Sequence, residues 1–185
     1  EKFKAITGIE KRRYINDNET VADIAIEAAH VAIKDSKVDP ETIDYIIVAH
    51  NVGDITLDSH QVNTLPSLAS KVKAGLKIQN PNCIAYDILF GCPGWVEGII
   101  QAKAFIKADM AMKCLVIGAD TLSRVLDQSD RDSMIYADGA GAAMVEKTNE
   151  SGGILSNKTV TYTSNGEAEF ESSGILQTTQ ETIIS

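Results

Sequence analysis

Cysteine, histidine and proline are all scarce in this 185-residue chain, and each scarcity closes off a class of function. Three cysteines, an odd number, cannot complete a disulfide framework, and Cys83, Cys92 and Cys114 are spaced too widely for any Cys-x-x-Cys pair. The three histidines, His30, His50 and His60, fall in unrelated segments, so no metal site is expected. The chain reads as reduced and cytoplasmic. Only 4 Pro, with no repeat or low-complexity stretch, excludes a fibrous or disordered chain. No run approaches the roughly 18 apolar residues of a membrane span, and Glu1-Lys2-Phe3-Lys4 does not read as a signal peptide. Positive charge is short as well. Lys plus Arg number 17 against 26 Asp plus Glu, a net charge of −9 with no long basic block, which argues against nucleic acid as a partner.

What is present is enough apolar mass for a sizeable core, at 44% hydrophobic residues. A first helix is expected from Asn18 as N-cap, with Val21, Ile24, Ala25, Ala28, Val31 and Ala32 at helical spacing. Residues 43–49 read as a buried strand and 50–63 as a long polar loop, a length that often carries function. A helix over 65–76 with Pro66 in its first turn follows, then a strand over 83–90 and a helix over 95–108. Further strands are expected at 113–117, 142–146 and 153–163, and a loop of small and acidic residues at 166–173. Strands alternating with helices predict an α/β layered sheet with helices on its faces. The start lacks Met, and the last residues, Thr179 to Ser185, end in an apolar-polar pattern without a cap, as expected for a segment of a longer protein.

The chemistry concentrates at Phe90-Gly91-Cys92-Pro93-Gly94-Trp95, where a strand turns sharply into a helix. Small neighbours permit the turn and the approach of a substrate. A helix N-terminus directs unpaired N–H groups and partial positive charge toward the sulfur, which favours thiolate. The layout parallels the nucleophile elbow of hydrolases with sulfur in place of the hydroxyl. The same surroundings also suit a small buried packing residue, so spacing alone leaves both roles open. Cys83 and Cys114, inside apolar strands, are expected to be inert. A nucleophilic cysteine needs a base. His30 sits within a helix, His50 ends a strand and His60 lies in the long loop; none is expected to serve Cys92.

Several blocks together resemble one family. Asp87-Ile88-Leu89-Phe90-Gly91-Cys92-Pro93-Gly94, Leu115-Val116-Ile117-Gly118-Ala119-Asp120-Thr121-Leu122-Ser123-Arg124, Asp130-Arg131 and Ala137-Asp138-Gly139-Ala140-Gly141-Ala142-Ala143 resemble β-ketoacyl-acyl-carrier-protein synthase III, of the thiolase superfamily. Thr7-Gly8-Ile9-Glu10-Lys11-Arg12-Arg13 and Glu19-Thr20-Val21-Ala22-Asp23 resemble its early segments in the same order.

The resemblance implies a thiolase-like αβαβα half with a mixed sheet and helices on both faces, residues 1–185 forming the N-terminal half. It implies Cys92 as the nucleophile, with the catalytic His and Asn in a C-terminal half. Acyl-CoA would be a substrate, with no permanently bound cofactor, and malonyl-acyl-carrier protein the second partner. A homodimer is implied too. The oxyanion would be held by the Cys92 backbone N–H and a second donor outside the chain.

Thr7 and Arg131 match residues near the CoA nucleotide, Arg131 through a guanidinium suited to that planar, phosphate-rich ligand. A surface ion pair with Asp127, Asp130 or Asp132 is the plainer role for Arg131. Ile6 stands where the family often has Arg, and the nearby family tryptophan is not evident. Leu65 matches the bulky residue that closes the partner's acyl pocket; as a smaller side chain it implies primers longer than acetyl, or branched. Plain packing at a helix start is the other role open to it. Lys11, Arg12 and Arg13 are candidates for docking an acidic carrier. Trp95 is expected to pack helix against sheet.

Three alternatives share parts of this pattern. One is another acyl-CoA condensing enzyme of the superfamily. Another is a cysteine hydrolase, which needs a His beside Cys92. The third is a non-catalytic dimerising domain.

Overall fold

The computed structural model describes residues 2–55, 61–127, 129–149, 153–161 and 180–184. His60 and the loop expected at 166–173 lie outside the described residues.

The organising element is a four-stranded sheet. Strand β1 (Tyr45–His50) lies between β4 (Ile84–Leu89) and β5 (Lys113–Thr121), parallel to both, and β6 (Asp138–Glu146) pairs antiparallel with β5. The loop expected at 50–63 contains a minimal antiparallel pair, β2 (Asp54–Ile55) with β3 (Val62–Asn63). The last strand expected at 153–163 is β7 (Asn157–Thr161), paired with β8 (Gln180–Ile184) in a separate ribbon.

Alternation along the strands divides the core into two layers. Ile46, Val48, Leu115 and Ile117 point to one face, where they pack with Val21, Ala25, Ala29, Leu68 and Val72 from helices α2 (Val21–Ser36) and α3 (Leu68–Gly75). Ile47, Cys114 and Val116 point to the other and meet Ile99 and Ala102 of α4 (Gly94–Lys107). Helices therefore cover both faces of a mixed sheet, the predicted architecture. Each buried Ile, Leu or Val contributes about 1.5–3 kcal/mol relative to exposure.

Some boundaries differ from the expectations, for local reasons. Helix α2 is capped by Thr20 rather than Asn18. The Thr20 backbone N–H donates to Asp23 Oδ2 at 2.8 Å and Asp23 N–H donates to Thr20 Oγ1 at 3.3 Å. That reciprocal pair satisfies two orphan donors, which Asn18 could not do at its spacing. Helix α3 starts at Leu68, not Leu65. Ser67 is its cap, and Pro66 precedes it after a cis Leu65–Pro66 bond. Helix α4 starts at Gly94, with Pro93 as its cap, one residue before the expected start at Trp95. A short helix α1 (Lys2–Thr7), absent from the sequence expectations, opens the chain.

Candidate active site

The parallel strands β1 and β4 end side by side, with His50 in register with Leu89. Phe90 N–H then donates to the His50 carbonyl at 3.2 Å, holding the two strand ends together just before the chain turns. In the turn, Gly94 N–H donates to the Gly91 carbonyl at 2.8 Å, and Glu97 N–H to the Pro93 carbonyl at 3.1 Å as α4 begins. Gly94 allows a close approach: a β-carbon there would meet the Ala49 and Phe90 β-carbons at 3.1 Å. This seats the N-terminus of α4 on the end of β1. Cys92 stands in the turn and is exposed, whereas Cys83 and Cys114 are buried. A buried packing role for Cys92 is thus excluded.

Cys92 opens into a cleft of about 270 Å³ beyond the carboxyl ends of the strands. His50, Trp95, Gly118, Asp120 and Asp138 share its walls. Trp95 packs against the sheet as expected, its β-carbon 3.2 Å from where one on Gly118 would lie, and also lines the cleft. Ligand crevices at the carboxyl ends of parallel strands are the rule for open α/β sheets.

Two carboxylates, Asp138 and Asp120, line the cleft, and a third, Asp87, stands behind it. Asp138 accepts from Ile15 N–H at 3.0 Å and from the Ser123 N–H and hydroxyl at 3.0 and 2.6 Å, tying the N-terminal segment to the sheet. Asp120 accepts from the Asn51 N–H and side-chain amide at 2.9 and 2.8 Å. Its burial outweighs those bonds and raises its pKa above the ordinary carboxylate value. Asp87 lies outside the cleft lining but supports it through His50. It accepts from Leu68 and Ala69 N–H at 2.8 and 2.7 Å, at the start of α3. Burial alone would raise its pKa; the His50 contact and the two backbone bonds outweigh burial, so the net shift is downward.

His50, not expected from the sequence to serve Cys92, shares the cleft with it. It is 8% exposed, and its Nε2 lies 3.2 Å from Asp87 Oδ2. The available signal was positional: His50 ends a strand whose neighbour runs directly into Cys92. A cysteine hydrolase would need a His that serves Cys92, and His50 shares the cleft walls with Cys92, so the cleft alone does not separate that reading from a condensing enzyme.

Similarity to known proteins separates them. Residues 86–163, which include Cys92, match the family model of 3-oxoacyl-[acyl-carrier-protein] synthase III. Beta-ketoacyl-[acyl-carrier-protein] synthase III 1 of Vibrio vulnificus is 44% identical over 153 residues, covering 82% of this chain and 45% of the relative. The crystal structure of 3-oxoacyl-[acyl-carrier-protein] synthase III from Aquifex aeolicus is 31% identical. It superposes with a TM-score of 0.79 over 95% of this chain and 55% of its own. The chain belongs to the 3-oxoacyl-acyl-carrier-protein synthase III family.

The chain spans about half the length of such synthase III relatives. Of the four residues that the family resemblance selected, only Cys92 lines the cleft. Thr7 ends α1, its hydroxyl donating to the Phe3 carbonyl at 2.7 Å and accepting from Ile9 N–H at 3.1 Å. The Arg131 side chain is 85% exposed, with its Nε 3.5 Å from Asp132 Oδ1, one of the surface pairings considered for it. Leu65 is 82% exposed. Arg12 is engaged within the chain, donating to the carbonyls of Met134 and Ile135.

Proposed function

We propose that this chain supplies the nucleophilic half of a condensing enzyme that initiates fatty-acid synthesis. An acyl group passes from acyl-CoA to Cys92; decarboxylative condensation with malonyl-acyl-carrier protein then yields a β-ketoacyl thioester. The observation that carries the reading is the exposed Cys92 at the N-terminus of α4, in a chain of the synthase III family. A thioester suits such a nucleophile, because exchange between thiols of similar character is nearly balanced and leaves a reactive intermediate. The His and Asn that assist decarboxylation in the family have no counterpart motif in this chain, and we assign them to a C-terminal half.

On this reading, Thr7 and Arg131 contact the CoA nucleotide, both from surface positions that leave room for a large ligand. Leu65, exposed beside α3, reaches a second copy in a homodimer and admits primers longer than acetyl, or branched. The enzyme works in the cytoplasm, with acyl-CoA as substrate and no resident cofactor. Helices in the described residues are too short or too polar to cross a membrane.

The test uses the full-length protein that carries this chain, incubated with acyl-CoAs of increasing length and digested for peptide mass analysis. An acyl mass on the Cys92 peptide, absent in Cys92→Ser, is the expected result and names the primer. No adduct with any acyl-CoA overturns the assignment of CoA as acyl donor.

A further inference from the structure

Lys71 of α3 and Asp54 of β2 form an ion pair whose side chains are both largely buried, with Lys71 Nζ 2.7 Å from Asp54 Oδ2. Asn63 of β3 joins them. Oriented by its neighbours, its amide oxygen accepts from Lys71 Nζ at 3.3 Å, and its amide nitrogen donates to the Leu65 carbonyl at 2.7 Å. One ammonium therefore holds both strands of the β2–β3 ribbon, and through Asn63 it reaches the backbone of Leu65. The ribbon has little else to fix it. It pairs only Asp54 with Asn63 and Ile55 with Val62; Ile55 is buried, whereas Val62 is exposed. Its start is set by Gly53, which lies against the His50 ring at a left-handed φ of 85°.

A buried ion pair is a poor source of net stability, because desolvation offsets the attraction, but it can fix one arrangement. Asp54 Oδ1 has no hydrogen-bond partner among the described residues, so Lys71 is the group that keeps this carboxylate in place. Leu65 needs such a hold. It is 82% exposed, and packing within this chain barely constrains it. Beyond it the chain is fixed again where Ser67 caps α3, accepting from Ser70 N–H at 3.2 Å.

We propose that Lys71, with Asp54 and Asn63, is a positioning group for primer selection: it fixes the backbone of Leu65, and so the size of acyl group that the pocket accepts. This rests on the reading of Leu65 as the residue that limits the primer, and it adds what holds Leu65 there. The described ends of the long 50–63 segment then support a specificity residue rather than supply catalytic groups.

The test measures kcat and KM for acyl-CoAs from acetyl to octanoyl in the full-length protein that carries this chain. Asn63→Ala cuts the link to Leu65 and leaves the Lys71–Asp54 pair intact. Asp54→Leu combined with Lys71→Met removes the ammonium without leaving a buried charge unpaired, so the fold is retained. Leu65→Ala is the reference. In all three, the ratio of kcat/KM between the best and the worst primer should fall about tenfold, the lower end of what one methylene is worth in an apolar pocket. The change should lie mainly in KM, with little shift in melting temperature. Variants that fold and lose activity equally on every primer overturn the proposal, since a merely structural support scales all primers alike. A ratio that falls in Leu65→Ala but not in the other two also overturns it, and leaves the functional reading standing. An unchanged ratio in Leu65→Ala overturns the role of Leu65 and the proposal with it. A parent that never acylates Cys92 overturns the functional reading itself. Should the double variant fail to fold, Asn63→Ala decides alone.

Discussion

Gly98 of α4 lies directly over Val116 of β5: a β-carbon at Gly98 would come 2.7 Å from Val116 Cγ1. Val116 is fully buried in a central strand and cannot swing away as a long side chain could. Gly98→Ala therefore sets overpacking of about 1–3 kcal/mol against a helix-propensity gain of about 1 kcal/mol. A net loss of about 1 kcal/mol is expected, seen as a melting temperature lower by roughly 2–4 °C, and a larger loss for Gly98→Val. Because α4 carries Cys92 at its start, slower alkylation of Cys92 should accompany the shift. A Gly98→Ala protein that melts at or above the parent temperature would show that the helix can lift without penalty.

The three thiols should separate cleanly by reactivity. Burial raises the Cys83 thiol above its ordinary value and pushes Cys114 up to about 12, whereas Cys92 is exposed in the turn. Thiolate is the reactive form, so the two buried sulfurs are protected both by access and by protonation. Brief iodoacetamide treatment at pH 8 followed by peptide mass analysis should modify Cys92 alone in the folded protein and all three in denaturant. Equal labelling of Cys114 in the folded protein would contradict its place in the sheet.

The sheet was legible in the sequence because its central strands are continuous apolar runs, and the period-2 split of Ile46 and Val48 from Ile47 assigns helices to both faces. The Cys92 turn was legible for the same reason: a strand, small residues and a helix follow without a gap. Helix starts were less so, since Asn18 and Thr20 are both good caps and only the side-chain bond to Asp23 distinguishes them. His50 was weighed from the sequence and set aside as a base for Cys92; its pairing with Asp87 is what went unseen. It depends on β1 lying beside β4, and on Asp87 facing it, neither of which is written in the residues around His50.

Arg12 should matter for structure rather than for docking an acidic partner. Its Nε donates to the Met134 carbonyl at 2.8 Å and its Nη2 to that of Ile135, pinning the short helical turn Arg131–Ile135. Arg12→Lys keeps the charge but not the fork of donors. Both Arg12→Ala and Arg12→Lys are expected to lose about 1 kcal/mol of stability. They should also speed amide exchange across 131–136. A lysine variant with unchanged exchange would instead favour a role for the charge itself.

Asp87 gives the fold a defined response to acid. Its folded pKa is held below the ordinary value of 3.8, so the carboxylate contributes stability above the unfolded pKa. That contribution is lost as the pH falls through the lower, folded value. Asp87→Asn should cost about 1–3 kcal/mol at pH 7, the range for losing charge-assisted bonds to the His50 ring and the first amides of α3. The deficit should begin to shrink as the pH drops below about 4, where the unfolded chain takes up the proton first, and close below the lower folded value. Asp120 has the opposite sign: burial raises its pKa, so its contribution is present at low pH and lost as the pH rises through the folded value. The deficit of Asp120→Asn should therefore narrow toward neutral pH while that of Asp87→Asn widens. Thermal unfolding of the parent and both variants from pH 3 to 7 measures both trends, and parallel curves for the two variants would show that these carboxylates do not titrate as their surroundings dictate.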